Sequence, residues 1–156
     1  MTENHGGWYY EMQTLGYNYR LTDFQAALAN SQLKRAEAGL KRRNEIARKY
    51  NKAFAGCKIK TPYVAENVFH AYHLYIIQTE ERKNLYDYLR ENKIFSQVLY
   101  IPVHTMPYYK ELGFKKGDYP VAENFYEKCL ALPMFPSLTD EEQDWVIEKV
   151  MEFISK

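Results

Sequence analysis

Between Asp23 and about Phe54, apolar residues return every three or four positions, at Phe24, Ala27, Leu28, Leu40, Ala47, Tyr50 and Phe54. That spacing predicts a helix with one buried stripe. Roughly 30 residues rising about 1.5 Å each reach about 45 Å, more than one compact domain of this size needs. A helix of that length reads as a spine joining the domain to something else. Thr22 just ahead of it is a good N-cap, and Gln25, three residues on, completes a capping box. Gly39, near the middle, marks a bend or a close packing contact.

After the helix, Gly56 and Pro62 break the pattern, and Ala71 to Gln78 reads as a strand rich in aromatic and β-branched residues. Thr79, Glu80 and Glu81 open a helix to about Asn92, with Leu85, Tyr88 and Leu89 facing inward. Phe95 to Tyr100 is a second strand candidate, ended by Pro102. The segment from Ile101 to Tyr119 carries prolines, glycines and tyrosines and reads as a binding loop rather than an element. Pro120 starts a short helix to about Cys129, and Leu130 to Met134 follows as a third, short strand. Thr139 and Glu142 form another capping box, opening a helix that buries Trp145, Val146, Val150 and Phe153. The residues ahead of Leu21 show no clean period and read as an irregular arm. The expectation is an α+β chain: a small sheet covered by helices, preceded by one long helix.

The stretch Gly16-Tyr17-Asn18-Tyr19-Arg20-Leu21-Thr22-Asp23-Phe24-Gln25-Ala26-Ala27 puts an amide, a guanidinium and two phenols just before a helix start. The positive end of a long helix favours an anion there, although a well-capped helix alone explains the same residues. The stretch resembles the motif that opens the C-terminal part of the sugar aminotransferases of the DegT/DnrJ/StrS family. These are pyridoxal-phosphate enzymes of the aspartate-aminotransferase fold. The likeness continues through Gln32-Leu33-Lys34-Arg35, Lys41-Arg42-Arg43-Asn44-Glu45-Ile46-Ala47, His73-Leu74-Tyr75 and Tyr100-Ile101-Pro102-Val103-His104. It extends to Tyr119-Pro120-Val121-Ala122-Glu123 and Leu132-Pro133-Met134-Phe135-Pro136, so it covers nearly the whole chain in the family's order. Within the family, His5-Gly6-Gly7-Trp8-Tyr9-Tyr10-Glu11-Met12 is most similar to enzymes that aminate UDP-linked 4-keto-6-deoxy-N-acetylhexosamines, as in pseudaminic acid biosynthesis.

The resemblance implies a C-terminal small domain with an antiparallel sheet. It divides the chain into an arm at 1–21 from the end of the large domain, a connecting helix at 22–55 and the small domain at 56–156. It further implies that Asn18 reaches across a homodimer to hydrogen-bond the phosphate of pyridoxal phosphate in the partner's active site. Arg20 is placed near the cofactor and substrate anions, with a structural ion pair the equal alternative. Tyr100 and His104 are placed in the wall of the nucleotide-sugar pocket, with Tyr17, His5 and Trp8 helping to wall the site. From the residues alone, the loop at Tyr100–His104 reads equally as a rigid surface turn.

The family's Schiff-base lysine, pyridinium aspartate and stacking ring all precede the stretch present here, and no lysine of this chain stands in the family's Ser-x-His-x-x-Lys context. The chain alone is therefore expected to carry no catalytic residue, to hold the cofactor poorly and to be inactive. A separately encoded large domain, completed in trans, is the alternative to a homodimer of the longer protein.

Composition narrows the remaining classes. Fifteen tyrosines and eight phenylalanines in 156 residues favour interfaces and ligand walls. No apolar run approaches the roughly 20 residues of a membrane span, and Met1 opens no signal-peptide pattern. Cys57 and Cys129 are too few and too far apart for a disulfide framework or a zinc site, which points to a reducing, cytoplasmic setting. His70 and His73, three apart on a strand, would point to opposite faces and share no metal, with His73 read as a core or sheet histidine. The net charge of +1 hides an asymmetry: eight basic residues lie between Lys34 and Lys52, and six acidic ones between Asp140 and Glu152. The basic face is either solvated or bound to a diphosphate or nucleic acid. Aromatic residues are not interleaved there, so nucleic acid is not expected as a partner, and without an apolar span neither is a membrane.

Overall fold

The computed structural model describes residues 14–17 and 19–155. The chain divides into two compact units, one through Arg35 and one from Ala36 onward. In the first, Tyr17 and Tyr19 stack with ring centroids 5.4 Å apart. The long helix α1 (Asp23–Ala53) then begins. Its start is capped as the spacing requires: the Thr22 N–H donates to Gln25 Oε1 at 3.0 Å, and the Gln25 N–H to Thr22 Oγ1 at 3.3 Å. Phe24 is 81% exposed, and Leu28 and Leu33 are exposed too, so the apolar stripe of α1 is buried only in its second half, at Ile46, Ala47 and Tyr50. Periodicity predicted the stripe correctly as a pattern but could not say what covers it.

In the second unit, β1 (Tyr75–Gln78) and β2 (Cys129–Leu132) form an antiparallel pair in the register Tyr75↔Leu132 to Gln78↔Cys129. Single bridges, Lys60↔Gln78 and Gln97↔Ala131, extend the sheet on both sides. The helices α2 (Arg82–Glu91), α4 (Pro120–Lys128) and α5 (Asp140–Ile154) surround it, with α5 against α2 and α4 beside β1. Tyr50, Phe54, Tyr75, Ile77, Leu85, Leu89, Leu130 and Val150 are fully buried in one core. The α+β architecture with an antiparallel sheet is thus present.

Several boundaries differ from the periodicity, each for a local reason. β1 starts at Tyr75 because Tyr72 has φ +46°, in the left-handed region, which ends an extended run. His70 Nδ1 accepts the Tyr72 N–H at 2.9 Å, and His73 is exposed rather than a core or sheet histidine. The stretch Phe95–Tyr100 supplies only the Gln97 bridge, since the Ser96 N–H turns back on the Ile94 carbonyl at 3.2 Å. Trp145 is 44% exposed: its Nε1 donates to the Asn92 carbonyl and Lys149 Nζ lies 4.3 Å from the ring centroid. The segment from Ile101 to Tyr119 is not free of elements, holding a 3₁₀ turn (Val103–Thr105) and the short helix α3 (Pro107–Glu111).

The second half of α1 ties these pieces together through its polar side chains. Arg43 Nη1 donates to the carbonyls of Tyr72, His73 and Met134 at 2.9, 3.1 and 3.0 Å. Asn44 Nδ2 donates to the His70 carbonyl at 3.2 Å, and the Tyr50 hydroxyl to the Pro133 carbonyl at 3.0 Å. On another face, Arg42 meets Asp140 at 2.8 Å and Lys49 meets Asp144 at 2.7 Å. The hydrogen bond and charge of Arg42 hold the Asp140 carboxyl below its ordinary range. Part of the basic stretch is therefore spent on the acidic one. Gly39 is a contact rather than a kink: a Cβ there would stand 3.4 Å from Pro136 Cγ.

Replacing Arg43 by Met should remove about 2–4 kcal/mol in urea unfolding, because charge-assisted bonds to three carbonyls vanish together. Gly39→Ala, by contrast, should raise stability by up to about 1 kcal/mol through helix propensity, since the added methyl meets only ordinary contact.

Candidate functional site

The loop from Tyr100 to Tyr119 is shaped by backbone restraints before any side chain acts. Pro102 fixes the entry, and its carbonyl accepts both the Thr105 N–H at 2.8 Å and the Thr105 hydroxyl at 2.7 Å. Pro107 opens α3 at its first turn, where a missing N–H costs nothing. Gly113 and Gly117 then turn the chain with φ of +98° and +99°.

Inside this loop lies a buried pair. His104 is 8% exposed, and its Nε2 stands 2.8 Å from Glu123 Oε1 on α4. The same carboxylate accepts the Gly117 N–H on both oxygens, at 2.8 and 3.0 Å, and the Tyr119 N–H at 3.4 Å. Hydrogen bonding from His104, then from the Gly117 amide, holds the Glu123 carboxyl below its ordinary range. The rings of His104 and Tyr119 pack at 4.8 Å between centroids.

Two shallow pockets flank the pair. One, of about 350 Å³, is walled by Pro102, His104, Tyr109, Phe114 and Tyr119. The other, of about 650 Å³, is walled by Tyr100, Pro102, Tyr119, Val121 and Phe125, with Asp118 at its side. Of the residues expected to face substrate, Tyr100 is exposed beside the larger pocket, whereas His104 is turned inward onto Glu123. Glu123 itself was assigned no role from sequence. The signal was an acid flanked by Val121, Ala122 and Phe125 in a short helix, where the inward side should be apolar.

In the first unit, Tyr17 and Arg20 are exposed just before α1. His5, Trp8 and Asn18 lie outside the described residues. A larger groove of about 690 Å³, walled by Phe95, Phe135, Leu138 and Trp145, contains none of the expected residues. Among the described residues no cluster of metal-ligating side chains exists, and no helix is long and apolar enough to cross a membrane.

An α+β unit with this loop, entered through a long capped helix, is the C-terminal architecture of pyridoxal-phosphate aminotransferases, and the comparisons agree. Residues 1–151 match the DegT/DnrJ/EryC1/StrS aminotransferase family, and the chain belongs to it. It is 41% identical to the spore coat polysaccharide biosynthesis protein SpsC of Bacillus subtilis (strain 168), over 97% of this chain and 41% of that protein. It is 36% identical to GDP-perosamine synthase of Escherichia coli O157:H7, over 94% of this chain and 40% of that one. Among solved structures, S. venezuelae DesV in complex with a ketimine intermediate superposes with a TM-score of 0.89 at 31% identity, covering 97% of this chain and 41% of that one. Helicobacter pylori PseC, an aminotransferase involved in the biosynthesis of pseudoaminic acid, superposes at 0.84 with 26% identity, covering 97% and 42%. The chain thus spans about two fifths of the length of the relatives it matches. Members of the family use pyridoxal phosphate.

The depressed Glu123 sets a pH window. Its contribution is complete above the ordinary carboxylate value of 4.5 and disappears as the pH falls through the lower folded value. Amide exchange at Gly117 and Tyr119 should therefore accelerate in acid before the core strands respond. Gly117→Ala should cost about 1–2 kcal/mol in thermal unfolding, because an L side chain resists a positive φ.

Proposed function

We propose that this chain is the C-terminal part of a sugar aminotransferase that moves an amino group from glutamate to the C4 ketone of a UDP-linked 4-keto-6-deoxy-N-acetylhexosamine. The observation that carries this is the match over residues 1–151 to the aminotransferase family, with the fold of DesV reproduced across 97% of the chain. The choice of a UDP-linked hexosamine, and of the pseudaminic acid branch, leans on the His5–Met12 motif and on the likeness to PseC. In this reading residues 1–21 belong to the end of the large domain, 22–55 connect, and 56–156 form the small domain.

The donors present suit the cofactor's phosphate. Asn18 offers an amide N–H without a charge that needs its own counterion, and exposed Arg20 stands beside the positive end of α1. Asn18 would hold the phosphate in the partner of a homodimer, with Arg20 near the cofactor and substrate anions. When bound, pyridoxal phosphate supplies the electron sink that carries the amino group between donor and acceptor. The task of this chain is binding and exclusion. Tyr100 offers a phenol at an apolar wall built by Pro102, Tyr119 and Phe125, where a sugar can be oriented and water kept away. By the family resemblance, Tyr17, His5 and Trp8 would help to wall the substrate site.

The chain alone should be inactive, and activity should return when a family large domain is supplied, either in one polypeptide or by mixing. Aminotransfer by the isolated chain, with stoichiometric borohydride-reducible cofactor, would overturn this. In the reconstituted enzyme, Asn18→Ala should weaken cofactor retention about tenfold, as expected for one lost charge-assisted hydrogen bond. Equilibrium dialysis of the cofactor measures it.

A further inference from the structure

We propose that Glu123 is a positioning residue: it fixes the His104 imidazole with Nε2–H toward the carboxylate, so that Nδ1 is left as an acceptor and the ligand group it meets is a hydroxyl or amide N–H rather than a phosphate. The inference rests on the loop facing a nucleotide sugar, as proposed above.

In a neutral imidazole one nitrogen donates and the other accepts, and an ionised carboxylate only accepts. The 2.8 Å contact therefore assigns the proton to Nε2. Glu123 cannot swing away to offer another arrangement, because the Gly117 amide engages both its oxygens and the Tyr119 amide approaches one of them. The restraint is reinforced by Gly117, whose positive φ aims its N–H inward. His104 Nδ1 has no hydrogen-bond partner among the described residues, while the residue lines the pocket of about 350 Å³ with Tyr109, Phe114 and Tyr119. A lone pair there, with a carboxylate behind the ring, repels an anion and welcomes a donor. The arrangement matches the way carboxylates orient histidines elsewhere, setting the tautomer through one nitrogen to define the chemistry of the other.

Long-range proton–nitrogen spectra of the chain at about pH 8, above the ordinary histidine range, read the tautomer directly. The expected result is a protonated Nε2 and a bare Nδ1 at His104 in the wild type. Glu123→Gln, whose carbonyl still accepts, should keep that state, and Glu123→Ala should lose it while the core resonances of Ile77 and Leu130 stay in place. A proton on Nδ1, or on both nitrogens, in the wild type overturns the proposal whatever the variants do. Retention of the wild-type tautomer in folded Glu123→Ala overturns it as well. Titration with UDP-N-acetylglucosamine should move the Nδ1 resonance, and inorganic phosphate should not. Movement with phosphate alone overturns the donor assignment. Movement with neither overturns the sugar-facing role of the loop, while the ligand-free tautomer still decides what Glu123 does.

Discussion

The guanidinium of Arg43 is the constraint on which the second unit depends. Its strands are four residues long, so much of the backbone around them runs outside any ladder. Carbonyls in such segments need partners when water is excluded. Arg43 supplies one to the turn before β1 and to the segment after β2 at once, and thereby sets how the two strands enter and leave the sheet. Asn44 and Tyr50 extend the same service to His70 and Pro133. The left-handed Tyr72 is tolerable in this frame, since its N–H rests on His70 and its carbonyl on Arg43.

Opposite charges close the unit along a second line. Arg42 and Lys49 meet Asp140 and Asp144, so the segregation of basic and acidic residues along the chain is partly cancelled in space. Most of these groups stay partly exposed, where an ion pair contributes little to stability. Their value lies in direction: they set the α5 start against α1, while Gln143 anchors the contact by donating to the Ile46 carbonyl at 2.9 Å. The loop pair of His104 and Glu123 follows another rule. Both partners are nearly buried, and the carboxylate is satisfied by amides as well as by the ring. A proline-rich loop can be held in this way without being added to the main core.

What the sequence made legible was local. The capping boxes at Thr22–Gln25 and Thr139–Glu142 each join residues three positions apart, and both form. Ala47, Tyr50 and Leu85 fell on inward faces because helical period alone decides that when a core is present. Phe24 and Trp145 obey the same period yet remain exposed, since a stripe names a face and not its cover. Long-range pairing was not legible. Nothing near Arg43 advertises that it will seek three carbonyls, and Glu123 lies 19 residues from His104. Backbone acceptors carry no side-chain signature, so contacts to them are invisible until the chain is folded. The family resemblance located the loop, but the inward turn of His104 emerges only from the geometry.

The contacts between α1 and α5 join residues 97 and 98 positions apart, about four fifths of the second unit. During synthesis, the part of α1 that meets α5 therefore waits for that partner until α5 has left the ribosome. Contacts of such long sequence separation slow folding, because loop-closure entropy is met before they contribute. Completion of the second unit's core therefore waits on α5, although α1 already meets the segments around β1 and β2. A chain halted before Asp140 leaves the core without Val146 and Val150, and the Ile46 carbonyl without the Gln143 amide.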